Sequence, residues 1–202
     1  MNLIKQVGCR RLCVLALALA LIPAAAMAHE ETGKAAGFLA GLLHPVSGLD
    51  HVLAMVAVGL WGAVLGAPAL WVLPIAFPLV MALGGLLGLL GMGLPYVEVA
   101  IALSALVLGA MVLLEVRPPL AIAGTLVAFF AIFHGHAHGS ELPPGTNALL
   151  YSLGFVLATG LLHLAGIGLG TLHRLRSGRT AVRVAGAGVA LGGLIFLWRA
   201  VT

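Results

Sequence analysis

Charged residues are scarce in this chain of 202 residues: Asp, Glu, Lys and Arg together make up 8%, whereas apolar residues make up 62%. A soluble domain carries about 25% charged residues and has no means of burying so much apolar surface. The composition therefore excludes a soluble enzyme, a nucleic-acid-binding protein and a disordered chain. At about 20 residues for each membrane helix, the length accommodates about six spans with short loops. We predict an all-α polytopic membrane protein.

Cysteine is nearly absent, and the two that occur, Cys9 and Cys13, lie close to the N-terminus. Residues 1–28 have the pattern of a secretory signal peptide, with basic residues, an apolar run over 12–22 and small residues before the cleavage point. An uncleaved first membrane helix is the alternative. Cleavage after residue 28 would leave a single membrane domain, 29–202, without a thiol, which excludes disulfides, thiolate metal sites and cysteine nucleophiles.

Pro, Gly and charged residues separate six apolar runs, which predicts six membrane helices with short loops. The runs cover 35–65, 69–91, 96–116, 120–138, 148–173 and 181–200. The first three helices and the last three would have opposite orientations, and this permits a 3+3 inverted repeat of the kind found in transporters.

The positive charges predict how the chain is oriented. If the mature N-terminus is outside, alternation of the spans places a set of arginines inside, as the positive-inside rule requires. They are Arg117, Arg174, Arg176, Arg179 and Arg183. We therefore expect a multi-pass protein of the bacterial inner membrane with both mature termini in the periplasm. Contact with membrane lipid accounts for the arginines, and no nucleic-acid partner is required.

Ionisable residues occur where membrane helices are expected, although each costs roughly 2.5 to 3.5 kcal/mol to insert at the helix centre. They form two clusters, one in the first predicted helix and one at the outer end of the fourth. The members are His44, Asp50 and His51 in the first cluster, and His134, His136, His138 and Glu141 in the second. Five imidazoles and two carboxylates without a thiol suit a borderline divalent cation. The sequence therefore predicts a metal site on the outer half of the bundle.

Helix geometry restricts how these residues can act together. His44 and His51 share a face but lie about 10 Å apart along a regular helix, so one ion cannot bind both unless the helix is interrupted. Pro45 lacks an N–H and Gly48 disfavours helix, so we expect a break between them. On the fourth helix, His134 and His138 share a face while His136 points the other way. The lone His163 of the fifth helix is compatible with packing and with a relay role alike.

The two clusters resemble the motifs of the HupE/UreJ family of nickel permeases, which serve hydrogenase or urease maturation. The His-x5-Asp-His run over 44–51 and the Phe-His-Gly-His-Ala-His-Gly run over 133–139 are similar to the two motifs of that family. The resemblance implies a permease that moves Ni²⁺, or Co²⁺ in its place, as a substrate, with no tightly bound cofactor. It also implies that His44, Asp50 and His51 are metal-path residues with the histidines of the second run as partners.

Other functions remain open on the residues alone. A His/Asp-bound zinc could activate water for an intramembrane hydrolase, and two facing histidines could hold a haem. The chain has no GxxxxGK[ST] motif, which excludes a nucleotide-driven pump unless a partner supplies the motor. Cleavage after residue 28 would also expose His29 as the first residue, where its α-amine and imidazole could together capture an ion.

Overall fold

The computed structural model describes residues 34–142 and 145–202, and this part of the chain is helical without a strand. It has seven α-helices and one short 3₁₀ turn. They are α1 (Lys34–Ser47), α2 (Leu49–Leu65), α3 (Ala69–Leu89), α4 (Val97–Leu113), α5 (Leu120–Ser140), α6 (Ala148–Thr171), the 3₁₀ turn (Leu172–Arg174) and α7 (Arg176–Val201). The predicted signal peptide and His29 lie outside the described residues. The all-α prediction is confirmed for this part.

Four of these helices, α3, α5, α6 and α7, are long and apolar enough to cross a membrane, and α6 continues into the 3₁₀ turn. The pair α1 and α2 passes the same test together, and the bend at the break between them is typical of a broken span or of a re-entrant loop. Helix α4 is apolar but has only 17 residues. Large apolar side chains such as Leu79, Leu149 and Trp198 are exposed on the outer surface, where lipid would cover them. The chain is a membrane protein.

The break between α1 and α2 lies at Gly48, where the two helix axes meet at 82°. Gly48 has extended backbone angles (φ −103°, ψ 112°), while Pro45 remains inside α1. The predicted interruption is therefore confirmed, and its position is the glycine. Because the chain turns here, the side chains before and after Gly48 no longer follow one helical face.

Glycine allows the helices to approach closely in four main pairs. Helix α3 packs along α5, α4 along α7, and α6 along both α1 and α2. A Cβ atom on Gly41 would collide with the backbone of Tyr151 in α6, and one on Gly135 would collide with the backbone of Met81 in α3. Such contacts between backbones hold membrane helices together, since lipid supplies no hydrophobic force between them.

The arginines cluster at one end of the bundle, which we call the arginine end (Arg117, Arg174, Arg176, Arg179 and Arg183). Arg179 of α7 binds Glu115, just after α4, through two hydrogen bonds of 2.7 Å (Nε to Oε1) and 2.5 Å (Nη2 to Oε2). This guanidinium holds the pKa of the Glu115 carboxyl below its usual value. The ion pair fastens the C-terminal end of α4 to the start of α7.

Candidate metal centre

The break at Gly48 positions the Asp50–His51 pair at the start of α2. The Asp50 carboxylate oxygen Oδ1 accepts two hydrogen bonds from His51, one from the backbone N–H and one from ring atom Nδ1, both 2.9 Å long. A Cβ atom on Gly48 would lie 2.9 Å from the same Oδ1, so glycine gives the carboxylate room. With Nδ1 donating to Asp50, the lone pair of His51 resides on Nε2, which is buried without a partner among the described residues.

Four imidazole rings form a continuous row across α1, α2 and α5. The ring centroids are 4.8 Å apart for His44 and His138, 4.5 Å for His138 and His51, and 4.9 Å for His51 and His134. Two residues of the first predicted cluster thus lie beside two of the second. The sequence alone could not establish this juxtaposition, because the clusters belong to helices about 90 residues apart in the chain.

Three of the predicted ligands converge at the mouth of this row, where α5 ends. One ligand atom from each of His44, His138 and Glu141 lies within 4.8 Å of the other two. The Nε2 atom of His44 is 3.5 Å from Oε2 of Glu141. Since metal–nitrogen and metal–oxygen bonds are about 2 Å long, a small closure would bring all three to one ion. The Glu141 side chain is 56% exposed, so an ion can reach it directly.

His134 lies at the other end of the row, fully buried, with its ring orientation fixed by Ser104 of α4. The Ser104 hydroxyl donates its only hydrogen to the Ile101 carbonyl at 2.6 Å. Its oxygen is therefore the acceptor in the 2.9 Å contact with Nε2 of His134. That contact leaves the lone pair of His134 on Nδ1, which has no partner in the described structure. A hydrogen bond of this kind selects the tautomer of a ligating imidazole.

His136 points away from the row, as the helical spacing indicated. Its Nε2 atom donates to the carbonyl oxygen of Met92, 2.7 Å away in the connection between α3 and α4. The ring is buried at this contact, so its position is that of a side chain that anchors a loop. His29, the other outlying candidate, is not among the described residues, and its role as a ligand stays a prediction.

Two aromatic side chains of α6 pack against the row. Phe155 lies 4.2 Å from His138 between ring centroids, and Tyr151 lies 5.7 Å from His44. A cavity of about 270 Å³ opens beside His138 between α3, α5 and α6. Both ring nitrogens of His138 are buried without a partner among the described residues. This ring can therefore offer either nitrogen to an ion.

Sequence reasoning did not identify Ser104 or Tyr151. Ser104 is the one polar residue of α4 apart from Glu98 in its first turn, and that is a weak signal because serine is common in membrane helices. Tyr151 carries no signal at all, since an aromatic residue near a helix end fits the membrane interface equally well.

Together the row can coordinate a cation in steps. Imidazoles with free lone pairs bind borderline metals such as nickel, cobalt, copper and zinc. Two carboxylates add negative charge, that of Glu141 at the mouth and that of Asp50 beside His51. Ring centroids less than 5 Å apart mean that an ion released by one imidazole is already within reach of the next. Among the described residues, one group of three ligand atoms lies close enough together to share an ion, which is fewer than the four ligands of a structural zinc site.

Comparison with known proteins agrees with the two motifs. The profile of the family described as HupE / UreJ protein matches residues 17–196. The curated protein named Protein HupE, from Rhizobium leguminosarum bv. viciae, is 51% identical over 180 residues, which cover 89% of this chain and 94% of that protein. No solved structure matches the chain. The length of the match and the level of identity place this chain in the HupE/UreJ family.

Proposed function

We propose that the chain is a secondary permease that moves Ni²⁺ from the periplasm into the cytoplasm for the assembly of a hydrogenase or urease metal centre. The row of four imidazoles supports this function most directly. Imidazole is a suitable ligand for borderline divalent cations, and the row leads from the surface into the bundle. The row leads from His44, beside the exposed Glu141, to the buried His134. We take the protein to be a transporter, not an enzyme, with Ni²⁺ as cargo and no resident cofactor.

The proposed path has three stages. Glu141, His44 and His138 capture the ion at the mouth, where the carboxylate supplies charge. His51, oriented by Asp50, receives the ion next. His134, oriented by Ser104, then holds it inside the bundle. His136 is proposed to support the mouth through its bond to the Met92 carbonyl, and His29 to raise the local ion concentration.

The proposed topology has six spans in the bacterial inner membrane after a cleaved signal peptide, 1–28. The bent pair α1–α2 would form the first span, and α3 to α7 the other five. Both mature termini would be periplasmic and the arginine end cytoplasmic, in agreement with the positive-inside rule. The helix pairing supports a 3+3 inverted repeat, because exchanging the two halves converts the pairing of the first and fifth spans into that of the fourth and second.

Uptake of ⁶³Ni²⁺ into cells that express the chain tests the proposal. Initial rates should exceed those of cells with an empty vector, with stronger competition from Co²⁺ than from Mg²⁺, since Mg²⁺ prefers oxygen ligands. His51→Ala should lose uptake, whereas His173→Ala should not, because His173 lies at the arginine end and contacts Arg117. Equal losses in the two variants, or no uptake above the vector, would refute the proposal.

A further inference from the structure

Helix α6 continues the wall of the metal path toward the arginine end. Four of its side chains, spaced by four residues, are buried: Tyr151, Phe155, Thr159 and His163. Residues with this spacing share one helix face. Phe155 contacts His138, and at 1.5 Å per residue Thr159 lies about 6 Å and His163 about 12 Å further along the helix axis. The buried face of α6 therefore includes two polar side chains, Thr159 and His163, that lie beyond the row of imidazoles.

The ring of His163 is held by an unusual backbone acceptor. Its Nδ1 atom lies 3.1 Å from the carbonyl oxygen of Pro74 in α3. Inside a helix this carbonyl would accept the N–H four residues later, but that residue is Pro78, which has none. Nδ1 must therefore carry the hydrogen and donate it, which leaves the lone pair of His163 on Nε2.

The two polar atoms that remain are buried without a partner in the described part of the chain. Nε2 of His163 and Oγ1 of Thr159 both have this property, and their residues are 1% and 0% exposed. Leaving such a group unsatisfied costs about 1–3 kcal/mol. If His163 and Thr159 served only in packing, the protein would therefore be more stable with Leu at position 163 and Val at position 159. The hydrogen bond to Pro74 accounts for Nδ1 of the imidazole, but no hydrogen bond among the described residues accounts for Nε2.

Phe77 places this pair next to the end of the row. The centroid of its ring is 5.4 Å from that of the His134 ring and 5.4 Å from that of the His163 ring. The plane of the Phe77 ring is inclined to these two imidazoles by 62° and 90°. The two imidazoles therefore pack against the same aromatic ring. Both have tautomers fixed by a protein partner, Ser104 for His134 and Pro74 for His163, and both have their remaining lone pair free of any partner among the described residues.

We propose that His163 Nε2 and Thr159 Oγ1 form an inner binding station for the transported divalent cation, between Phe77 and the arginine end. This inference rests on the proposed function and extends its path beyond His134. The station has only neutral ligands, whereas the mouth has the Glu141 carboxylate and His51 is backed by Asp50. Weaker binding at the inner station favours release, as conduction through successive sites requires.

Three α6 variants test the station in ⁶³Ni²⁺ uptake and in Ni²⁺ binding by the purified protein. His163→Asn keeps an N–H for the Pro74 carbonyl but removes the imidazole lone pair, and we expect uptake to fall about tenfold or more. Thr159→Val, which removes only the hydroxyl, should lower uptake by a smaller factor. Neither change should weaken Ni²⁺ binding at the mouth. Leu164→Ala is the control, because Leu164 is the next residue and is exposed on the lipid side.

A thiolate at position 163 detects the ion directly. In a full-length background with Cys9→Ser and Cys13→Ser, His163→Cys should give a thiolate-to-cobalt charge-transfer band when Co²⁺ is added, and Leu164→Cys should give none. Normal uptake by His163→Asn, or the absence of the band from His163→Cys, would overturn the inner station. If wild-type cells take up no nickel, the proposed function fails, while the cobalt band still decides whether an ion reaches His163.

Discussion

The close contact between α3 and α5 makes Gly135→Ala the most informative single change in the bundle. Gly135 lies next to His134, and a Cβ atom there would collide with the Met81 carbonyl and stand 2.8 Å from the backbone nitrogen of Gly85. Ordinary contacts of a Cβ atom begin at about 3.4 Å. The overlap with the Met81 carbonyl oxygen is the more severe, and neither obstacle is a flexible side chain, so the two helices must separate by about 1 Å or more.

The expected magnitude follows from two terms. Overpacking of a well-packed core costs about 1–3 kcal/mol, so the variant should unfold more easily in detergent but remain folded. A displacement of about 1 Å at a reacting centre can cost 10²-fold. Because part of the helix separation is passed on to His134 and His138, nickel uptake should fall by about 10- to 100-fold. Uptake is measured as the initial rate of ⁶³Ni²⁺ entry per folded protein, and stability by thermal unfolding followed by circular dichroism.

Gly124→Ala is the matched control, because Gly124 lies on the same helix and a Cβ atom there would meet no neighbouring atom within 4 Å. Alanine is more favourable than glycine in a helix by about 1 kcal/mol, so this variant should be as stable as the wild type or slightly more stable, with normal uptake. If Gly135→Ala transports as fast as Gly124→Ala, the spacing of α3 and α5 does not set the geometry of the imidazoles, and this reasoning is refuted.

Four further outcomes are expected. Asp50→Asn should reduce uptake about 10- to 100-fold with normal membrane insertion, because His51 loses its carboxylate partner; normal transport by a well-inserted variant would contradict this role. Ser104→Ala should reduce uptake about tenfold by freeing the ring of His134, and Ser104→Thr, which keeps the hydroxyl, should restore it. Acidification from pH 7 to pH 5 should inhibit uptake, because protons compete with the ion for imidazole lone pairs; a steady rise would indicate proton coupling. His29→Ala should matter at limiting nickel only, provided that N-terminal sequencing places His29 first, and identical uptake curves would eliminate the capture role.

Several features of this protein follow from the sequence alone because they depend on local chemistry. The shortage of charge determines the membrane class, since no soluble fold could bury so many apolar residues. The break between α1 and α2 follows from Pro45 and Gly48, which disfavour a regular helix by themselves. The opposed directions of His136 and His138 follow from the 3.6-residue period of α5. None of these features depends on a distant part of the chain.

The partners of the polar side chains were decided by the tertiary structure. Ser104 contacts His134, which lies 30 residues away in the chain, and the Pro74 carbonyl contacts His163, which lies 89 residues away. The helices are apolar on every side, so no amphipathic stripe in the sequence indicates which face is buried. Trp61 and Trp71 illustrate this: Trp61 is fully buried with its indole N–H on the Val116 carbonyl, while Trp71 is 55% exposed. In a bundle that close backbone packing holds together, the shapes of opposing helices select the contacts, and those shapes exist only after the helices have met.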